Sequence, residues 1–261
     1  MIEIALDWRA SSYSGWGNYG RNLSLELLRN GMRPILPGVA GLELNPLEAR
    51  VFREVVIRAP GSDVPLPRIM LHAMGNELCF AGLAEKTAVS FGIVFFENTR
   101  LPPEAVAQAS RLYRMVAGSS WNAELLRRDG LTNVELILQG IDLTSFHPAP
   151  RGGRLEHRFV VFSGGKLEYR KGQDLVVVAF RRFRQRHPEA LLMTSWHMVR
   201  PEGCQSLATT GHLDGIPDFD AQGRADLSGW LVRQGIPPED FLDLGVMSNI
   251  ALGRCLREAD V

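Results

Sequence analysis

Short apolar runs alternate with amphipathic, helix-like segments from one end of the chain to the other. Residues 2–6 read as a strand and 19–29 as a helix ended by Gly31. A short strand is predicted at 34–36 and a helix at 47–56, with further strands at 68–73, 87–95, 112–117 and 134–138. Between the last two, the spacing predicts a helix over 121–128, capped by Ser119 or Ser120 and stopped by Gly130. Strands alternating with helices imply βαβ units and a parallel sheet, and hence an α/β protein.

Residues 140–153 interrupt this rhythm with turn formers and prolines, ending in Arg151-Gly152-Gly153-Arg154. The alternation then restarts: strand at 159–162, helix at 172–186, strand at 190–196, helix at 226–233, strand at 241–244, helix at 249–257. Two Rossmann-like domains are therefore expected, 1–150 and 151–261, the second with too few strands to be complete. The stretch 201–223, rich in Gly, Asp and Pro, is expected to be a long loop, and 259–261 to enter a further strand. On the helix at 172–186, Leu175, Val176, Ala179, Phe180 and Phe183 fall on one face. Arg181, Arg182, Arg184 and Arg186 lie largely off it, as expected of a solvated face.

Composition narrows the function classes. Lys+Arg and Asp+Glu both number 29 in 261 residues, so the chain lacks the basic excess of a general nucleic-acid binder. The three cysteines, Cys79, Cys204 and Cys255, are scattered and match no metal-ligand spacing. The amino terminus has no basic segment followed by a long apolar run, and no stretch approaches the ~18 apolar residues of a membrane span. A cytoplasmic protein without a transmembrane segment is the expectation, with peripheral membrane contact left open.

Two strand-to-helix segments carry glycine where chemistry could follow. Ser14-Gly15-Trp16-Gly17-Asn18-Tyr19 follows the first strand. Glycines there let the backbone approach a ligand, and the helix beyond offers free N–H groups to an anion; a plain tight turn is the alternative. Residues 162–174 hold Ser163-Gly164-Gly165, then Lys166, Arg170 and Lys171, at the start of a helix. Three cations beside glycines and a helix amino terminus suit a pyrophosphate, although no Walker sequence is present; a surface loop with solvated lysines is the alternative.

These residues resemble the donor-binding segment of family-4-type retaining glycosyltransferases of the GT-B fold, where a strand, glycine, a basic residue and Lys-Gly open a helix of the second domain. Gly164, Gly165, Lys166, Lys171 and Gly172 match, except that the usual arginine position falls at Gly165 and Lys166 comes one place later. Gly15-Trp16-Gly17-Asn18-Tyr19 is similar to the family's Gly-Ile-Gly-Arg-Tyr segment. Val116–Trp121 and Gln139-Gly140-Ile141-Asp142 with Phe146-His147-Pro148 also resemble family segments in the same order. The family's Glu-x7-Glu segment is not found, and the resemblance implies a chain ending before it.

What the resemblance implies is metal-independent, retaining transfer from a nucleotide-diphosphate sugar, with no cofactor besides that co-substrate, to a saccharide, lipid-linked or protein acceptor. The first domain would take the acceptor and the second the donor. Gly15, Gly17, Gly165, Lys166, Arg170 and Lys171 would contact the diphosphate. Catalytic candidates at carboxyl ends of strands are His72 and Glu97. Many relatives carry histidine near the Phe96–Glu97 position. Glu97 is read either as the acceptor's base or as a group that orients a hydroxyl. His72 is read either as functional or as packed at a strand end. A nucleotide-sugar epimerase or phosphorylase on the same fold, or a binding module without catalysis, would share the phosphate residues. Asp218-Phe219-Asp220 has the form of a metal-binding DxD but sits in a polar loop.

Overall fold

Each apolar run of the first half becomes a strand of one parallel sheet. The chain is seen here in a computed structural model that describes residues 1–8, 10–37, 43–52, 55–58, 65–79, 87–197 and 200–261. It divides into two compact units, Met1–Asp142 and Leu143–Val261, the division lying within the 140–153 stretch.

In the first unit the order is β1 (Ile2–Asp7), α1 (Gly15–Arg29), β2 (Met32–Pro37), α2 (Pro46–Val51), β3 (Val56–Arg58), β4 (Ile69–Met74) and β5 (Val89–Val94). It continues with α3 (Pro103–Ala109), β6 (Arg114–Ala117), α4 (Ser120–Arg128) and β7 (Val134–Leu136). The seven described strands are parallel in the order β3-β2-β1-β4-β5-β6-β7. The chain winds outward from β1 to β3, then returns to the other side of β1 with β4. The reversal of winding therefore falls between β1 and β4, which is where ligands bind in sheets of this kind, beyond the strands' carboxyl ends. One face of the sheet buries Met74, Val94, Met115 and Leu126 in a cluster with α3 and α4. The other buries Ile4, Leu6, Leu27, Leu36 and Ile93 with α1. Both faces are apolar, which is why these strands read as near-continuous hydrophobic runs.

The second unit holds β8 (Phe159–Lys166), a 3-10 turn at Tyr169–Lys171, α5 (Gln173–Arg184), β9 (Ala190–His197) and α6 (Pro201–Ala208). After these come β10 (Asp218–Phe219), β11 (Ala225–Asp226), α7 (Leu227–Arg233), β12 (Phe241–Asp243) and α8 (Asn249–Leu256). A parallel sheet runs β12-β9-β8, and β10 and β11 form a small antiparallel hairpin. Beyond α8 the chain lies along β8: Asp260 N–H donates to the Val160 carbonyl at 2.8 Å, and the Val261 carbonyl accepts from Phe162 N–H at 2.7 Å. Trp196 and Trp230 meet edge to face at 6.2 Å in the core of this unit. Burying each large apolar side chain contributes ~1.5–3 kcal/mol.

Several expectations change. α1 starts at Gly15 rather than residue 19, because the Ser14 hydroxyl accepts the Gly17 N–H at 3.2 Å and caps it there. β8 does not stop at Phe162 but continues through Ser163, Gly164, Gly165 and Lys166, each paired with β9, so ladder bonds outweigh the weak strand preference of glycine. The segment 201–223 is not a long loop: it forms α6, with Pro201 and Glu202 in the first turn, and then β10. α3 was not anticipated, since Pro103–Ala109 is short and alanine-rich with little apolar periodicity. α5 is turned from the expected face: Val177 and Phe180 are buried, while Leu175 is 58% exposed. Arg184 is not on a solvated face, because it pairs with buried Asp240.

Candidate functional site

The second unit brings its candidate residues together at the carboxyl end of β8. Gly165 has φ +111, a backbone shape that side chains resist, and the Lys171 chain passes over it. A Cβ at Gly165 would lie 3.8 Å from Lys171 Cδ. Gly172, at φ +69, ends the 3-10 turn and turns the chain into α5. Gln173, buried in the first turn of α5, donates to the Lys166 carbonyl at 2.5 Å and accepts from Glu168 N–H at 3.4 Å. One buried amide thus fixes the path from Lys166 to Lys171; sequence reading missed it, although an amide opening an apolar helix was a usable signal. α6 seals the outside of this turn, its Gly203 so near that a Cβ would stand 2.9 Å from the Leu167 carbonyl oxygen.

The three cations differ. Arg170 is tied to Glu168 at 2.8 Å. Lys166 and Lys171 are exposed and have no carboxylate partner among the described residues. Lys171 carbons lie beside Gly165, and Lys166 follows that glycine on β8, so the turn presents two cations without a carboxylate partner among the described residues. Close by, Asp174 is buried in α5 and meets His212 Nδ1 at 2.8 Å. Burial alone would raise its pKa; hydrogen bonds from His212, Leu175 N–H and Thr210 outweigh that and hold it below the usual carboxylate value.

In the first unit, Gly15 and Gly17 occupy the first turn of α1 and play different parts. Gly17 is glycine for packing, since a Cβ there would stand 2.2 Å from Ser11 Cβ and 2.8 Å from Ser11 N. Gly15 has open space where a Cβ would be. The Gly15 and Trp16 N–H groups, in the first turn of α1, have no hydrogen-bond partner among the described residues, as at an anion-competent helix start. Gly17→Ala should therefore destabilise the chain by about 1–3 kcal/mol through overpacking, while Gly15→Ala should be neutral or slightly stabilising. Urea denaturation of the two variants checks this; equal stabilities would show that the 11–14 turn gives way freely.

Glu97 is exposed beyond β5, on a turn pinned by Asn76 Oδ1 accepting the Glu97 N–H at 2.9 Å and by Asn122 donating to the Phe96 carbonyl at 2.9 Å. His72 is wholly buried in β4, with Nδ1 3.0 Å from Asp7 Oδ2 at the end of β1. The imidazole is thus packed inside the sheet, and Asp7 is a partner through which it can act at the strand ends. Asp218 and Asp220 are occupied by Arg233 and Arg224, at 2.8 and 2.7 Å. No group of three or more His, Cys, Asp or Glu suited to a metal occurs among the described residues. No described helix is long and apolar enough to cross a membrane.

No protein-family model matches the sequence, and no curated protein matches it. Solved structures do. A glycosyltransferase from Rickettsia africae ESF-5 is similar with TM-score 0.60 at 14% identity, over 99% of this chain and 71% of that one. Sucrose-phosphate synthase from Thermosynechococcus elongatus is similar with TM-score 0.59 at 12% identity, over 100% and 74%. The S. aureus MnaA–UDP complex is similar with TM-score 0.53 at 10% identity, over 99% and 72%. Likeness at such identities is one of fold, and the fold is that of GT-B glycosyltransferases, a large parallel sheet followed by a smaller one.

Proposed function

We propose that the chain binds a nucleotide-diphosphate sugar and transfers the sugar to a hydroxyl-bearing acceptor. The observation that carries this is a pair of exposed lysines without a carboxylate partner among the described residues: Lys166 at the carboxyl end of β8, and Lys171, whose carbons lie beside Gly165. The glycosidic bond to the diphosphate breaks as the acceptor oxygen attacks, and the electron pair leaves with the diphosphate. Preorganised ammonium groups meet that charge where it develops, each contributing ~2–3 kcal/mol of transition-state stabilisation, so a metal is not called for. The α1 start, with the N–H groups of Gly15 and Trp16, is a second anion-competent position. Glu97, exposed at a strand's carboxyl end, orients an acceptor hydroxyl or takes its proton. Retention at the anomeric carbon is the outcome that the family resemblance implies.

The test is calorimetric titration with UDP, GDP and NAD, followed by an assay of nucleoside diphosphate release from UDP- and GDP-sugars. Saturable binding of a nucleoside diphosphate and sugar-dependent release are expected. Binding of none, or of NAD alone, would remove the transferase reading. Tight UDP or GDP binding without any release would leave a nucleotide-binding module instead.

A further inference from the structure

We infer that Asp7 binds the acceptor, its outer carboxylate oxygen accepting a hydrogen bond from a hydroxyl of a saccharide or polyol, and that His72 is the positioning residue that holds it; the inference rests on the transferase reading. Asp7 is the last residue of β1 and pairs in register with His72 of β4. These are the two strands flanking the reversal of winding, and Asp7 lies at the carboxyl edge, the place where sheets of this architecture take ligands. The sequence offered no sign of the pair, whose members stand 65 positions apart.

The chemistry of the pair fixes its polarity. A carboxylate only accepts, so His72 carries its proton on Nδ1 and donates to Asp7 Oδ2 over 3.0 Å. With the imidazole buried, Asp7 is the member that reaches the surface, its side chain 14% exposed. Its second oxygen takes no hydrogen bond from the described residues. A nearly buried carboxylate with one donor is under-solvated, and a further donor from outside relieves that cost. The negative charge repels a phosphate and welcomes an O–H, so this position suits the acceptor rather than the donor's diphosphate. Because His72 fixes the carboxylate through Oδ2, the second oxygen keeps a set place and can select one hydroxyl by position.

The experiment measures nucleoside diphosphate release from nucleotide sugars by the whole chain, with glycerol, methyl α-D-glucopyranoside, methyl α-D-mannopyranoside and maltose as acceptor probes. Asp7→Asn places an amide where the outer oxygen stood. It is expected to raise the KM of the accelerating probe about ten- to hundredfold, the scale of a hydrogen bond to a charged group. The Kd for UDP should stay at the parental value. His72→Leu removes the donor to Asp7 and should reproduce this rise, whereas His72→Asn keeps an N–H and should restore most of the parental KM, with thermal melts confirming that each variant is folded. A parental acceptor KM in Asp7→Asn, a loss of UDP affinity in that variant, or His72→Asn behaving as His72→Leu would overturn the assignment while leaving transfer intact. Release that no probe accelerates would overturn it as well. No release from any donor by the unaltered chain would remove the transferase reading, and the assignment with it.

Discussion

Replacing Lys171 by alanine is expected to raise the Kd for UDP about ten- to hundredfold, the effect of losing one charged partner of a phosphate, ~1.5–3 kcal/mol. Arg182→Ala on the same helix should leave that Kd unchanged. The contrast comes from position. Lys171 closes the 3-10 turn before Gly172, with its methylenes over Gly165, while Arg182 is exposed on the outer face of α5. Arg184 would be a poor comparator, because its pairing with Asp240 gives it a structural task. Isothermal titration of the two variants at one ionic strength decides the matter, since screening weakens exposed phosphate contacts. Equal losses, or none from Lys171→Ala, would place the nucleotide elsewhere.

Much of the fold was legible because parallel strands buried on both faces leave continuous apolar runs, such as 89–94, that no amphipathic helix produces. The helix at 120–128 was legible for a local reason: Ser119 caps it with an accepted bond from Asn122 N–H at 3.1 Å, and Gly130 follows at φ +100. Where the decisive force is long-range, the sequence pattern misleads. The glycines of β8 look like a loop, and only pairing with Ser195 and Trp196 of β9 makes them strand. α5 turns Val177 inward and Leu175 outward because the tertiary contacts, not the apolar count, set its rotation.

The candidate site divides along the same line. Lys166, Lys171 and the glycines lie within one short stretch, so their chemistry could be read along the chain. What distinguishes them from Arg170 could not, since only the folded turn sets Glu168 beside the guanidinium. His72 stood out as a titratable residue at a strand's carboxyl end. Its burial, and its partner on β1, follow from strand order, which a reading along the chain does not supply.

The largest stability effect is expected at the opposite end of the smaller sheet. Asp240 is buried just before β12 and takes charge from two directions. Arg158, which precedes β8, reaches it at 3.2 Å and also donates to the Ala190 carbonyl at 2.9 Å; Arg184 comes from the last turn of α5. One carboxylate therefore ties the amino ends of β8, β9 and β12 to α5. Asp240→Ala would leave two guanidinium groups facing each other without their counter-ion, which costs about 3 kcal/mol for a buried partner, the lower end of the range because Arg184 is half-buried. Arg29→Ala, which removes an exposed ion pair with Glu26, should cost about 0–1 kcal/mol. Equilibrium urea unfolding at neutral pH separates the two, and equal losses below about 1 kcal/mol would refute the role given to Asp240. Because Lys166 and Lys171 stand at the carboxyl end of β8 and Asp240 beside its amino end, Asp240→Ala protein that remains folded should bind UDP with the parental Kd. A parallel fall in stability and in UDP affinity would mean that the two ends of this sheet are coupled, and that the amino end helps to shape the turn over Gly165.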